Sequence, residues 1–408
     1  MYPMHFVPIL SALRRHRAAT ALIVLEISVT CAIVSNTVFL IQDRLSRIDH
    51  ASGLAEDELV RVQLTGIGEK PQASALTAQD LAALRAIPGV RYAATANMVP
   101  FGNSSWNTDI SPIPRDPDAI NSAMYFGSQG LLEAMGAQLI AGRSFTPGEF
   151  VAYADVQAEK AHPPSVIITR GVAERLFAGK TPIGQPLYVW GKEPQTVVGV
   201  IERLARPNEA AGRASAAYAV VLPIDVPYTV AGNYLIRTDA PRAVEVLAQV
   251  SAALKRVDAS RIILGRQSFA EVRKDYFKQD RALALLLTGV SISLLVVTAL
   301  GIVGLASFWV QQRTRQIGVR RALGATRGDI LLYFQVENFI LATTGIVMGM
   351  VLGYAINLWL MHTYQVPRLP AMFLPVGAAL LWLVGQIAVL GPALRATMIP
   401  PATASRTS

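Results

Sequence analysis

The chain is short of charge. Only 16% of its 408 residues are Asp, Glu, Lys or Arg, against 52% hydrophobic, where a soluble globular protein carries about 25% charged residues. The deficit is uneven: residues 43–280 are charged like an ordinary water-soluble domain, whereas 18–41 and long runs beyond 282 are nearly bare. That split excludes one large hydrophobic core and implies a membrane protein with a soluble insert. Cysteine is almost absent. Cys31 is the single one, so no intrachain disulfide can form, and a soluble part of roughly 240 residues must be held by burial alone. The five histidines (5, 16, 50, 162 and 362) form no HxxxH or HExxH, which argues against a zinc site. There is no GxSxG elbow. There is no GxxxxGK[ST] either, because Gly66-Ile67-Gly68-Glu69-Lys70 is too short and lacks the hydroxyl that would hold magnesium. No catalytic residue, metal or cofactor is therefore expected of this chain. The net charge of +9 would suit nucleic acid, yet much of the basic excess flanks the apolar runs, where topology accounts for it. No nucleic-acid partner is expected.

What is present begins with four apolar runs. A hydrocarbon core of about 30 Å needs about 20 apolar residues as helix, and residues 18–41, 282–310, 331–360 and 372–392 each supply them. The first run is too long for a signal-peptide core and lacks a small-x-small cleavage site, so it reads as an uncleaved anchor. Arginine sets the direction. The segment 311–330 holds Arg313, Arg315, Arg320, Arg321 and Arg327, whereas 361–371 holds Arg368 alone. With Arg14, Arg15 and Arg17 before the first run, and Arg395 and Arg406 after the last, both termini and 311–330 are expected in the cytoplasm. The domain at 42–281 is expected outside it. Residues 1–17 carry Phe6, Val7, Leu10 and Leu13 at the spacing of a short amphipathic helix on the inner membrane face. Gly345, Gly349 and Gly353 put one bare helix face in the third run, a close-packing device in lipid. Glu26 and Glu337 lie near the inner ends of their runs, with no Lys, Arg or His inside the spans to partner them.

The inserted domain reads as α+β. Leu59 to Leu64 alternates as a strand, and Thr77 to Ile87 as a helix with Thr77 as N-cap and Pro88-Gly89 as its stop. Strands are expected at 91–99, 165–169, 196–201, 234–237 and 261–264, and helices at 131–135, 171–177 and 243–257. Loops at Ser111 to Pro117 and Glu209 to Ala217 bracket an inserted subdomain at about 105–215. Polar helical extensions at 42–51 and 270–281 suit a stalk.

The segment from Arg313 to Ile330 reads RTRQIGVRRALGATRGDI, a short basic helix with apolar Ile317, Val319 and Leu323, broken at Gly324. It resembles the FtsX-like permease domain of MacB-type ABC transporters, whose pattern here is R-x-x-E/Q-I-G-x-R-x-A-L-G-A. Arg313, Gln316, Ile317, Gly318, Arg320, Ala322, Leu323, Gly324 and Ala325 match it, followed by Asp329-Ile330 and the glycines at 345, 349 and 353. Gln316 stands where Glu is commoner. A second stretch agrees: GAQLIAGRSFTPG at 136–148 and AERLFAGKTPIG at 173–184 look like the family's extracytoplasmic domain.

The resemblance implies a bacterial inner-membrane permease that forms dimers, homomeric or of two related subunits. Each subunit docks on a cytoplasmic ABC ATPase through the loop between the second and third spans, here Arg313, Arg315, Gln316 to Gly318, Arg320 to Ala325, and Asp329. It implies ATP bound by that partner rather than by this chain, and motion transmitted through the stalk to the outer domain. With about 17 residues ahead of the first span, the ATPase is expected on a separate chain. A periplasmic adaptor and an outer-membrane channel are further partners the family offers. The same architecture also serves regulators of cell-wall hydrolases and lipoprotein-release permeases, which remain alternatives.

Overall fold

The computed structural model describes residues 17–65, 72–102, 104–190, 193–207, 216–364 and 368–400. The amphipathic stretch from Phe6 to Leu13, Arg14, Arg15, the Gly66 to Lys70 run, Gly191, most of the Glu209 to Ala217 loop and Arg406 lie outside the described residues. In chain order, α1 (Arg17–Ile48) precedes β1 (Leu59–Thr65), α2 (Ala73–Arg85), β2 (Val90–Ala96), β3 (Asn107–Ile110), β4 (Ile120–Phe126), α3 (Leu131–Met135) and β5 (Leu139–Gly142). Next come β6 (Val151–Ala152), α4 (Tyr153–Gln157), β7 (Ser165–Thr169), α5 (Arg170–Leu176), β8 (Pro186–Leu187), β9 (Gln195–Ile201) and β10 (Ala219–Leu222). The domain closes with β11 (Ile224–Asp225), α6 (Tyr228–Ala231), β12 (Asn233–Thr238), α7 (Ala243–Val257), β13 (Ile262–Ser268) and α8 (Phe269–Tyr276). Four helices end the chain: α9 (Lys278–Gln312), α10 (Thr314–Ala322), α11 (Arg327–Tyr364) and α12 (Phe373–Thr397). Two compact units result, residues 50–278 and the remainder.

In the 50–278 unit, β13-β1-β12-β2 form an antiparallel sheet. Alternation along β1 turns Val60, Val62 and Leu64 inward, where Leu81 and Leu84 of α2 and Val246, Val250 and Leu254 of α7 cover them. β2 and β12 pair directly, Ala96 opposite Asn233, although more than a hundred residues separate them in sequence. Those residues build a second, mixed sheet, β3-β4-β10-β7-β9-β5 with β8 on β9. Its core is its own: Phe126, Val166, Ile168, Val197, Val220 and Leu222. A strand apolar on both faces, such as β7, is what a sheet covered on both sides requires.

Two expectations are corrected here. Thr77 does not cap a helix. α2 begins at Ala73, and the Thr77 hydroxyl donates to Ala73 O at 2.7 Å while accepting from Tyr228 N at 2.9 Å. Burial beside Tyr228 gives that hydroxyl a use inside the helix. The helical run at 270–281 is also interrupted, because α8 stops at Tyr276 and Phe277 turns out of helical geometry. The wholly buried Phe277 ring lies 5.2 Å from that of Phe101 and 4.8 Å from that of Tyr276, a contact a straight helix would forgo.

In the other unit, α1, α9, α11 and α12 are long and apolar enough to cross a membrane. At 32 residues, α1 is about 48 Å long, well beyond a core of about 30 Å. Past its apolar part, Arg44 pairs with Asp280 of α9, and Arg47 Nη1 stands 3.7 Å from the same carboxylate. The glycine stripe of α11 packs on α1. A Cβ on Gly345 would lie 2.8 Å from Ile27 Cβ, one on Gly349 2.5 Å from Cys31 Cβ and 2.6 Å from Ser28 O, and one on Gly353 3.1 Å from Ala32 Cα. α12 reaches the same helix through Gly377, whose Cβ would meet Ser35 Oγ. Polar groups join the helices: Thr30 and Thr298 hydroxyls share a bond of 2.9 Å, and Asn36 Nδ2 donates to Gly353 O at 3.1 Å. Since Gly349 faces backbone, Gly349→Ala is expected to cost about 1–3 kcal/mol. The check is thermal unfolding in detergent, with the outward Gly289→Ala, whose Cβ would meet nothing, as the neutral comparison.

Candidate coupling site

The segment between α9 and α11 is a short helix fastened at both ends and along one face. α9 ends at Gln312, and Arg313 leaves helical geometry at φ −102° and ψ 12°. α10 then runs to Ala322 and stops at Gly324, whose φ of +100° is the left-handed conformation that glycine adopts without strain. Ala325 N donates to Arg320 O and Gly324 N to Arg321 O, both at 3.1 Å. That is a Schellman ending, and it explains the Leu-Gly-Ala run. Two residues later α11 opens with a capping box: Thr326 N and Oγ1 donate to Asp329 Oδ2 at 2.9 and 2.6 Å, and Asp329 N donates to Thr326 Oγ1 at 3.2 Å.

Three anchors fix α10. Arg313 Nη1 donates to both carboxylate oxygens of Glu337, at 3.0 and 2.9 Å, with the two side chains 11% and 2% exposed. Arg313 also sits 5.6 Å from the Trp309 ring centre. Glu337 thus has a cationic partner after all. It comes from beyond the end of the second span, where a search inside the spans could not find it. Arg321 Nη1 donates to Thr397 O at 3.0 Å and Ile399 O at 2.5 Å, placing a cation on the carbonyls that end α12, where the helix dipole favours one. Ile317 packs with Val310, Ile330, Phe334, Ala393 and Ala396.

Of the residues singled out from sequence, Arg313, Ile317, Gly318, Arg321 and Asp329 serve this framework. Arg315, Gln316, Arg320, Ala322, Leu323 and Gly324 are exposed, and Ala325 is half-buried. Arg320 folds back so that its guanidinium is 4.7 Å from the Tyr333 ring centre. The pattern from Arg313 to Ala325 passes over Val319, which is 43% exposed, one turn before Leu323 at 80%. Residues four apart share a helix face, so Arg315, Val319 and Leu323 form one outward stripe, basic at its start and apolar beyond. Apolar i, i+4 residues on a basic helix were the available signal. Among the described residues, no group of three or more His, Cys, Asp and Glu stands close enough to hold a metal.

Comparison with known proteins places both units. Residues 288–401 match the model of the FtsX-like permease C-terminal domain, and residues 20–260, more than half of the chain, match that of the MacB-like periplasmic core domain. The macrolide export ATP-binding/permease protein MacB of Bordetella avium is 30% identical over 242 residues, 56% of this chain and 35% of that protein. The protein of the same name from Neisseria gonorrhoeae is 25% identical over 253 residues, 60% of this chain and 36% of that one. The probable syringafactin export ATP-binding/permease protein of Pseudomonas syringae is 26% identical over 288 residues, 63% and 41%. The chain therefore spans about 35–41% of the length of these curated relatives. Among solved structures, the periplasmic region of MacB from Actinobacillus actinomycetemcomitans aligns over 56% of this chain and 97% of that one, at 12% identity and a TM-score of 0.34. On the match of its core domain, joined to four apolar helices and an FtsX-like C-terminal region, this chain belongs to the MacB-like, FtsX-type ABC transporter permease family.

Proposed function

We propose that this chain is the permease subunit of a MacB-like assembly in a bacterial inner membrane. In this reading ATP is hydrolysed on a separate cytoplasmic ABC ATPase, and a second permease subunit completes the complex. The observation that carries the reading is the outward stripe of α10 on a helix braced by α9, α11 and α12. A helix that only set topology would need arginines but no exposed Val319 and Leu323. An exposed apolar pair on a helix held against three others suits a rigid plug for a groove on another protein. Rigidity matters because a push on α10 then passes to the helix ends instead of being absorbed locally.

Motion at α10 reaches α9 and α11 directly through Arg313 and Glu337, and α1 through the glycine stripe. Farther along, Arg44 and Arg47 on α1 grip Asp280 on α9, so the two helices flanking the inserted domain move as a pair. This supports force transmission to an extracytoplasmic domain, with the arginine-rich 311–330 segment and both termini in the cytoplasm. The relatives named for macrolide and syringafactin export support export as the task, in preference to hydrolase activation or lipoprotein release.

The test is the pair Val319→Asp and Leu323→Asp together. Both side chains face outward, so the chain is expected to fold and insert normally. Co-purification of an ATPase from native membranes is expected to fall at least about tenfold, because two carboxylates then replace the apolar side chains that would fill the groove. Undiminished co-purification and ATP-dependent activity would refute the assignment of α10.

A further inference from the structure

In the 50–278 unit, the chain leaves the first sheet after β2 through the turn Val99-Pro100-Phe101-Gly102, closed by Gly102 N donating to Val99 O at 3.1 Å. Pro100 holds the second position, where the fixed φ of proline fits. Phe101 holds the third at φ +60°, a conformation that glycine or asparagine adopts readily and a bulky side chain rarely. Gly102 stands one place late, where a Cβ would lie 2.9 Å from Val99 O. Among the described residues, Arg115 and Glu159 are the other two non-glycine residues with positive φ, and both are exposed. Phe101 is 6% exposed. A residue strained in this way persists only where its surroundings over-determine it.

What over-determines it is α8 with the residue that follows. The Phe101 ring centre lies 5.2 Å from that of Phe277, 5.5 Å from that of Tyr276 and 6.2 Å from that of Phe269. The Arg273 guanidinium is 5.0 Å from the same ring centre. Arg273 is itself held, because it pairs with Glu56 and donates to His50 O at 2.6 Å. One aromatic ring therefore joins a strained turn to the helix that leads into α9. Such a contact is loaded. Burial of the ring among its aromatic neighbours offsets the strain of the left-handed backbone, so a turn that loses this seat gains by relaxing.

We propose that Phe101 is a strained latch: seated on α8 and Phe277 it keeps the 99–102 turn closed, and it springs open when that seat is drawn away. That a pull along α9 does the drawing rests on the permease reading above, whereas the latch itself is tested without an ATPase. The experiment is hydrogen exchange read by mass spectrometry on the full chain in lipid nanodiscs, with the Gly102 amide reporting the turn and α7 as the control for folding. Phe277→Ala, which removes part of the seat, is expected to speed exchange over 97–102 at least about tenfold while α7 is unchanged. The same change made on Phe101→Gly is expected to leave the turn as slow as in Phe101→Gly alone, because glycine holds a positive φ without the ring. Tyr276→Ala, which removes a different ring of the seat, repeats the first result where Phe277→Ala disturbs α7. Unchanged exchange over 97–102 in both seat variants would overturn the proposal, and so would equal acceleration in the Phe101→Gly background. Neither result depends on whether α10 docks on an ATPase.

Discussion

Replacing Arg313 with methionine is expected to destabilise the membrane unit by about 3–5 kcal/mol, because it leaves the Glu337 carboxylate buried without a cation. Glu337 is 2% exposed, and both its oxygens are held by one guanidinium nitrogen. The loss is specific to stranding the charge. In Arg313→Met/Glu337→Met both ions are gone, and replacing a buried ion pair by apolar side chains is often neutral or stabilising. The double variant should therefore unfold in detergent at or above the wild-type temperature, while the single variant unfolds well below it. If both unfold together, the pair is not what holds α10 to α11. The double variant also separates stability from transmission: it restores the fold while removing the directional tie between the start of α10 and α11.

The second large effect lies in the inserted domain. Asp80 of α2 and Arg261, just before β13, form an ion pair at 2.6 Å with both side chains wholly buried. Tyr234 OH donates to the same Asp80 oxygen at 2.7 Å, and the Arg261 guanidinium lies 3.6 Å from the centre of the Tyr228 ring. Burial pushes the Asp80 carboxyl up, against the pull of Tyr234 and Arg261. Arg261→Met removes the compensating charge and should cost about 3–5 kcal/mol, seen as rapid proteolysis within 50–278 of the full chain. Adding Asp80→Asn, which still accepts from Tyr234, should recover most of that protection. Failure of the second change to help would mean that Arg261 acts through the Tyr228 stack rather than through charge.

The membrane part of this architecture is plain in the sequence because lipid imposes a length and forbids charge, so four apolar runs can hardly be read otherwise. The stripe at Gly345, Gly349 and Gly353 is legible as a packing face for the same reason. Its partner is not, since spacing describes one helix and says nothing of the neighbour. Thr77 shows how burial overrides a local preference: a hydroxyl that suits a helix start is used mid-helix because Tyr228 N lies against it. Between α9 and α11 the pattern from Arg313 to Ala325 mixes two kinds of residue. Arg313 and Arg321 look like Arg315 in sequence. What separates them is a carboxylate 24 positions on and carbonyls near the chain end, contacts that no local window contains.

Everything proposed for the cytoplasmic side depends on the stripe ending at Leu323 sitting in a groove on an ATPase. A photoreactive phenylalanine introduced at Leu323 and irradiated in native membranes tests this most directly, with adducts identified by mass spectrometry. The expected result is a covalent adduct with a protein carrying a GxxxxGK[ST] nucleotide-binding loop, and none from the same residue placed at Glu174. An intact complex that still retains the ATPase yet yields no adduct at position 323 would contradict it.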